Sequence, residues 1–243
     1  MMNNFWDLLY PPTCLSCEEL LFPGAKVPLC SNCHGKWEEL RRTRCSRCKK
    51  PQTLCACRPN LLETSKLNIE CRHLVPYQSE SVAGKLLLLS KDERLVHLSN
   101  FFAEQLQDVL AVCDVTAETE NVLITYMPRS RARALEKGVD QSWELAKALG
   151  KRFNIGVAKC FDRCNAPPQK ELNAKARLSS ARKIYRLHKR CPVVKGTTVI
   201  LIDDILTSGA TMLVGCELLF GAGVEKIYCL SVGMTLYETV HDE

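Results

Sequence analysis

"VILIDDILTSGAT", Val199–Thr211, decides how this chain is read. Five of its first seven residues are apolar and several are β-branched, as in a strand buried on both faces. Within them sit two adjacent carboxylates, Asp203 and Asp204. Three residues later the chain turns small, hydroxylated and flexible: Thr207, Ser208, Gly209, Ala210 and Thr211. A strand that ends in such a loop and then opens a helix is a phosphate cradle. Its backbone N–H groups point at the anion, aided by the helix dipole. Gly209 permits a positive φ or a close backbone approach. Thr207, Ser208 and Thr211 add hydroxyl donors. The run is not a Walker A loop, because no Gly-Lys-Ser/Thr occurs, and it lacks GxGxxG. Carboxylates beside a monophosphate cradle suit a ribose, whose two vicinal hydroxyls they accept from. They also suit a magnesium ion met through water.

Outward from this run, strands alternate with helices. "CRHLVPY" (Cys71–Tyr77), "NVLITYM" (Asn121–Met127), "IGVAKCF" (Ile155–Phe161), "TTVILIDD" (Thr197–Asp204) and "KIYCLSV" (Lys226–Val232) read as strands. "SVAGKLLLL" (Ser81–Leu89), "RLVHLSNFFAEQLQDVL" (Arg94–Leu110), "DQSWELAKALGKRF" (Asp140–Phe153) and Ala210–Phe220 read as helices, with Asp140 an N-cap. The later strands are apolar throughout, so the sequence predicts an α/β fold: a parallel sheet with helices on both faces. Ligands of such sheets bind beyond the carboxyl ends of the strands, where Asp203 and Asp204 fall.

Residues 1–58 have a different texture, rich in Cys, Pro and charge. Eight of the fifteen cysteines lie within Cys14–Cys57. Cys14-x2-Cys17 is followed by Cys30-x2-Cys33, and Cys45-x2-Cys48 by Cys55-x-Cys57. Two residues between thiolates let one tight turn present both sulfurs to a tetrahedral ion, and two such turns complete four ligands. This predicts structural zinc at Cys14, Cys17, Cys30 and Cys33, and at Cys45, Cys48, Cys55 and Cys57, where CxC makes a tighter bite. Sequential pairing is assumed, and interleaved pairing stays open. Closed four-thiolate sites leave no position for catalysis. A redox CxxC stands alone rather than in tandem. "CSNCH" (Cys30–His34) matches a haem-attachment pattern, but no export signal accompanies it. The other seven cysteines read as small apolar core residues.

The net charge of +6 is focused. Lys36–Arg58 carries +6 and Lys170–Arg190 carries +7, leaving −7 for the remainder. Such focusing favours an anionic partner, phosphate or nucleic acid; solvated surface and helix ends are the other reading of either segment alone. Arg41, Arg42, Arg44, Arg47, Lys49 and Lys50 are the candidate backbone contacts. No apolar run approaches the roughly 20 residues that cross a bilayer, and "MMNNFWDLLYPPT" has no basic n-region. The expectation is a cytoplasmic protein with no membrane insertion.

Val199–Thr211 resembles the phosphoribosyl pyrophosphate (PRPP) binding signature of type I phosphoribosyltransferases. The order of the whole chain resembles ComF-like proteins: a double zinc ribbon, "YMPRSRARALEKGVDQ" (Tyr126–Gln141), "PPQKELNAKARL" (Pro167–Leu178) and then the signature. The family's Arg-Gly-Phe-Asn-Gln is here Lys137-Gly138-Val139-Asp140-Gln141; its later Asn is Ser180, and its Phe is Tyr185. The resemblance implies a zinc-ribbon module at 1–58 and a phosphoribosyltransferase-like domain at 59–243. It implies that Asp203, Asp204, Thr207, Ser208, Gly209, Ala210 and Thr211 bind PRPP or ribose 5-phosphate with Mg2+. Tyr126–Ser130 becomes a pyrophosphate loop with Pro128 and Arg129, and Arg163–Arg177 a closing loop. In that loop Lys170 and Arg177 are the candidate catalytic residues, screening the leaving pyrophosphate. It further implies a role in natural competence, with single-stranded DNA and DNA-uptake proteins as partners. The alternative it leaves open is an active transferase that displaces pyrophosphate with a nitrogenous acceptor.

Overall fold

The computed structural model describes residues 11–22, 24–91, 97–113, 115, 121–129, 138, 140–164 and 173–235. Two knuckles of the same design open the chain. In the first, Thr13 bridges Leu20, Cys14 N donates to Glu19 O at 2.7 Å, and Glu18 turns left-handed at φ 65°. In the second, Arg44 bridges Pro51, Cys45 N donates to Lys50 O at 2.8 Å, and Lys49 turns at φ 60°. The first knuckle is completed by helix α1 (Ser31–Arg42), whose N-cap is Cys30. The second is completed by a 3-10 turn at Gln52–Leu54 that leads into Cys55 and Cys57. A short helix α2 (Asn60–Glu63) then joins this module to the sheet.

The remaining elements are β1 (Ile69–Pro76), α3 (Val82–Leu89), α4 (His97–Gln105), α5 (Gln107–Leu110), β2 (Val122–Tyr126), α6 (Gln141–Phe153), β3 (Gly156–Val157), β4 (Phe161–Arg163), α7 (Ala174–Ile184), β5 (Tyr185–Leu187), β6 (Thr198–Leu206), α8 (Ala210–Gly221) and β7 (Lys226–Met234). Five strands form one parallel sheet in the order β1-β7-β6-β2-β3. The fold class expected from the sequence is therefore the one observed. Alternate residues of one strand feed two cores. Ile200 and Ile202 pack with Trp37, Leu74, Phe102 and Leu145, whereas Val199 and Leu201 pack with Leu62, Phe161, Met212 and Leu219. This is why Val199–Ile202 is apolar at every position: that part of the strand has no solvent face.

Several expectations need correction. The strand carrying the acids does not end at them. It runs on to Leu206, because β7 continues to pair with it through Leu206↔Met234. "IGVAKCF" is two strands, not one. β3 extends the main sheet, while β4 pairs antiparallel with β5 in a separate ribbon. The long helix read over Arg94–Leu110 divides at Leu106 into α4 and α5, and residues 92–96 lie outside the described set. Two helices, α1 and α7, stand where no element was expected, and α7 takes in Ala174–Arg177 of the expected closing loop. Among the seven scattered cysteines, Cys71, Cys113, Cys160, Cys216 and Cys229 are buried as expected, but Cys164 is exposed and Cys191 only half-buried.

The amino-terminal module shares the sheet's core. Trp37 of α1 is fully buried, with ring centroids 5.3 Å from Phe101 and 6.1 Å from Phe102, and its indole N–H donates to Gln105 Oε1 at 3.1 Å. The 3-10 turn meets the edge strand. Gln52 Oε1 accepts from His73 Nε2 at 2.6 Å, and both side chains are fully buried.

Candidate functional site

The site begins where one strand loses a neighbour. β2 stops pairing with β6 at Tyr126↔Ile202, while β7 keeps pairing past it. The chain leaves β2 toward β3 on one side and leaves β6 toward β7 on the other. A crevice at such a divergence is where open parallel sheets take ligands. Asp203 and Asp204 stand on its β6 side, and Pro128 and Arg129 on its β2 side.

Each acid is held. Asp203 Oδ1 accepts from Ser142 Oγ at 3.3 Å and from Asp204 N at 3.0 Å. Asp204 Oδ1 accepts from Ile205 N at 2.8 Å, and its Oδ2 lies 3.4 Å from the Arg129 guanidinium. Burial, and then the Asp204 charge beside it, push the Asp203 carboxyl well above the ordinary carboxylate range. The Asp203 carboxyl therefore holds its proton to a higher pH than a free carboxyl does.

Across the crevice, Asp140 does more than cap α6. Its Oδ1 accepts from Trp143 N at 3.4 Å, and its Oδ2 accepts from Arg129 N at 3.0 Å. Burial raises the Asp140 carboxyl, against the pull of those two amides. Tyr185 pins the same turn from the other end, its hydroxyl donating to Pro128 O at 3.2 Å. Burial holds that phenol far above its usual range, so it remains a donor.

The loop at 207–211 follows. Gly209 is the N-cap of α8 in a left-handed conformation, φ 79°, and supplies no side-chain acceptor to the first turn. Ser208 Oγ accepts from Ala210 N at 3.4 Å. Thr207 is exposed, Thr211 half-buried, and Ser208, Gly209 and Ala210 are buried. Uncapped amides at the start of a helix, beside hydroxyls, form an anion cradle. Of the two candidate catalytic residues, Arg177 is exposed on α7, whose N-cap Asn173 begins the helix four residues earlier. Lys170 lies outside the described residues, as do Ser130, Arg131, Arg133, Lys137 and Val139. Sequence reading missed Ser142 and the Tyr185 hydroxyl as supports. Tyr185 left a trace, standing where the resembled family has Phe.

The eight cysteines resolve into two clusters with sequential pairing: Cys14, Cys17, Cys30, Cys33, and Cys45, Cys48, Cys55, Cys57. Sulfur–sulfur separations are 3.6 Å for Cys17–Cys30, 3.8 Å for Cys45–Cys57 and 3.6 Å for Cys48–Cys55. A tetrahedral ion with Zn–S bonds of about 2.3 Å sets its sulfurs about 3.8 Å apart, so both donor sets fit zinc. At Cys14 burial opposes the thiolate, but backbone hydrogen bonds around Cys30, Ser16 and Cys17 outweigh it and bring the thiol down to about 6. Cys45 is brought down to about 7 in the same way, through Cys48 and Arg47.

The basic segment around the second cluster is partly occupied with its own chain. Arg41 pairs with Glu38 at 2.9 Å and with Asp108 at 2.5 Å. Arg44 donates to Lys49 O at 3.0 Å, and Arg47 pairs with Glu63 at 2.5 Å. Arg42, whose side chain is 81% exposed, reaches Glu38 at 3.8 Å, and Lys49 and Lys50 face solvent.

Among the described residues no helix is long and apolar enough to cross a membrane. No curated protein matches the chain. Among solved structures, a hypoxanthine phosphoribosyltransferase from Staphylococcus aureus is similar at 13% identity and TM-score 0.37, over 59% of this chain and 75% of that one. An adenine phosphoribosyltransferase from Thermoanaerobacter pseudethanolicus is similar at 16% identity and TM-score 0.32, over 58% and 82%. One from Leishmania tarentolae is similar at 12% identity and TM-score 0.33, over 68% and 91%. Residues 141–234 match the family model of the phosphoribosyl transferase domain. That stretch runs from α6 through β7, takes in Ser142, both acids and the whole loop, and places the parallel sheet in the phosphoribosyltransferase type I fold.

Proposed function

We propose that this chain is a ComF-like cytoplasmic protein that binds PRPP and assists the uptake or utilisation of single-stranded DNA. The convergence of Asp203, Asp204, Arg129 and the uncapped start of α8 at the split between β2 and β6 carries the ligand half of this reading. In it, Thr207–Thr211 take the 5-phosphate, and the two acids accept from the ribose hydroxyls. Pro128 and Arg129 face the pyrophosphate, and Asp203 and Asp204 would meet the Mg2+ that accompanies it through water. Two structural zinc ions fill the cysteine clusters.

Calorimetry with PRPP and Mg2+ tests it. Asp204→Asn keeps the size but removes a charged acceptor, a bond worth about 1.5–3 kcal/mol, so affinity is expected to fall about tenfold or more. Undiminished affinity in that variant would refute the cradle. The DNA half predicts binding to single strands that weakens with salt, with a slope of log K against log salt of about −0.7 per phosphate neutralised. Arg42, Lys49 and Lys50 are the open contacts for it, and neutralising all three is expected to flatten the slope by about two units.

The internal pairing of Arg41, Arg44 and Arg47 favours a second reading, an active phosphoribosyltransferase in which PRPP reacts with a nitrogenous acceptor. Pyrophosphate release with one acceptor, together with no salt-sensitive binding of single strands, would establish it over the first.

A further inference from the structure

The second cysteine cluster is joined to the phosphate loop by a short path through the protein. Cys57 leads through Arg58 and Pro59 directly into α2, and α2 packs against α8. Leu62 of α2 is fully buried, and Pro59 is buried beside it. A β-carbon on Gly209 would stand 3.1 Å from Leu62 Cγ and 3.3 Å from Pro59 Cβ. The bare glycine of the loop therefore rests on these two side chains. Arg47, between Cys45 and Cys48, grips both ends of the support. It donates to Arg58 O at 2.8 Å and to the Glu63 carboxylate oxygens at 2.5 and 2.6 Å. The Arg58 guanidinium in turn donates to Ile69 O at the start of β1. Among the described residues the first cluster has no such path, because Cys14, Cys30 and Cys33 belong to the core on the other face of the sheet.

We propose, on the reading of Thr207–Thr211 as a phosphate cradle, that Arg47, Pro59 and Leu62 are positioning residues for that cradle, held in place by the second cysteine cluster. None of them touches the anion. They hold Gly209 in its left-handed turn, so that the amides beyond it converge before a ligand arrives. A metal ion bound by Cys45, Cys48, Cys55 and Cys57 then governs anion affinity from outside the crevice, and one bound by the first cluster does not.

The test measures ribose 5-phosphate affinity by calorimetry, zinc content, and amide hydrogen exchange over Thr207–Thr211, all on the full chain. Leu62→Ala is expected to lower affinity tenfold or more and to speed exchange of the loop amides with no ligand present. Leu62→Met is expected to restore affinity to within threefold. Leu219→Ala opens a hole of the same size in the same core, away from the loop, and is expected to leave affinity within twofold. Cys48→Ser is expected to act like Leu62→Ala, whereas Cys17→Ser, measured below its lowered melting temperature, is expected to lose its ion and keep its affinity. Arg47→Gln, a partly exposed change that leaves the core intact, is expected to cost about threefold. Equal affinity and equal loop exchange in wild type, Leu62→Ala and Arg47→Gln would overturn the proposal, as would an equal loss in Leu219→Ala. Wild-type protein that binds no ribose 5-phosphate would instead overturn the cradle. Loop exchange in the ligand-free variants would still show whether the support acts.

Discussion

The two cysteine clusters share a donor set and a knuckle, yet they are attached to the sheet with different emphasis. The first is fixed mainly by apolar surface: Trp37 lies among Phe101, Phe102 and Leu74, in the core that also takes Cys14, Cys30 and Cys33. The second adds, to the buried Leu62, a set of directional polar contacts: Gln52 to His73, Arg58 to Ile69 O, and Arg47 to Glu63. Apolar burial is strong and tolerant of small displacement. Buried hydrogen bonds add less net stability but define one register. The first cluster is thus built to hold the molecule together, and the second to hold a neighbouring loop in position.

Removing the first cluster's ion is the harshest way to test this division. Structural zinc contributes roughly 10–16 kcal/mol of apparent folding free energy in small modules. Because Cys30 and Trp37 share a core with Leu145 and Ile200, Cys30→Ser is expected to lower the melting temperature of the whole chain in one cooperative transition. A calorimetric trace in which the sheet melts at its wild-type temperature would show two separate cores.

Acid tests the polar attachment. Burial, with the Arg72 charge adding to it, brings the His73 imidazole down to about 4. The folded chain therefore keeps it neutral, while the unfolded chain protonates near 6.5. Between those values the unfolded state binds more protons, so stability falls as the pH falls, by about 3 kcal/mol across the window. Chemical denaturation at pH 7 and pH 5 is expected to show about 2 kcal/mol of this loss, and His73→Gln is expected to remove most of it. An equal pH slope in that variant would assign the loss to the thiolates instead.

The smallest effect concerns the crevice. Tyr185→Phe removes one hydrogen bond to Pro128 O and leaves the ring, a change of about 0.5–1.5 kcal/mol. PRPP affinity is expected to fall a few-fold, since the Pro128–Arg129 turn is still held by Asp140. A loss of a hundredfold would mean that the hydroxyl, and not the Asp140 carboxylate, sets the turn.

Much of this architecture was legible because it is local. An unbroken apolar run such as Val199–Ile202 has no reading but a strand covered on both faces, and CxxC spacing states its own geometry. What stayed hidden has equally physical reasons. Helix α7 buries only Ala181, so it has no apolar stripe to betray it, and its basic residues read as loop. Helix α1 buries only Cys33 and Trp37, and its first turn looks like a metal knuckle. The supports of the site, Ser142 under Asp203 and Leu62 under Gly209, are contacts across long stretches of chain that no periodicity records. The internal partners of Arg41 and Arg47 were hidden in the same way, and charge alone overstated the free basic surface.

Strand order has one more consequence, for synthesis. The cysteine module docks on β1, and the strand neighbour of β1 is β7, with Ile69 paired to Ile227. At roughly 5–20 residues per second, a ribosome delivers β7 about 10–30 s after β1. Through that interval the module has zinc ligands to close on but no finished sheet to rest against, and β1 presents an unpaired edge. Early zinc capture would give the nascent chain an ordered end while its centre is still being made. Cells starved of zinc would then lose this protein during translation, before any finished copy had released its metal.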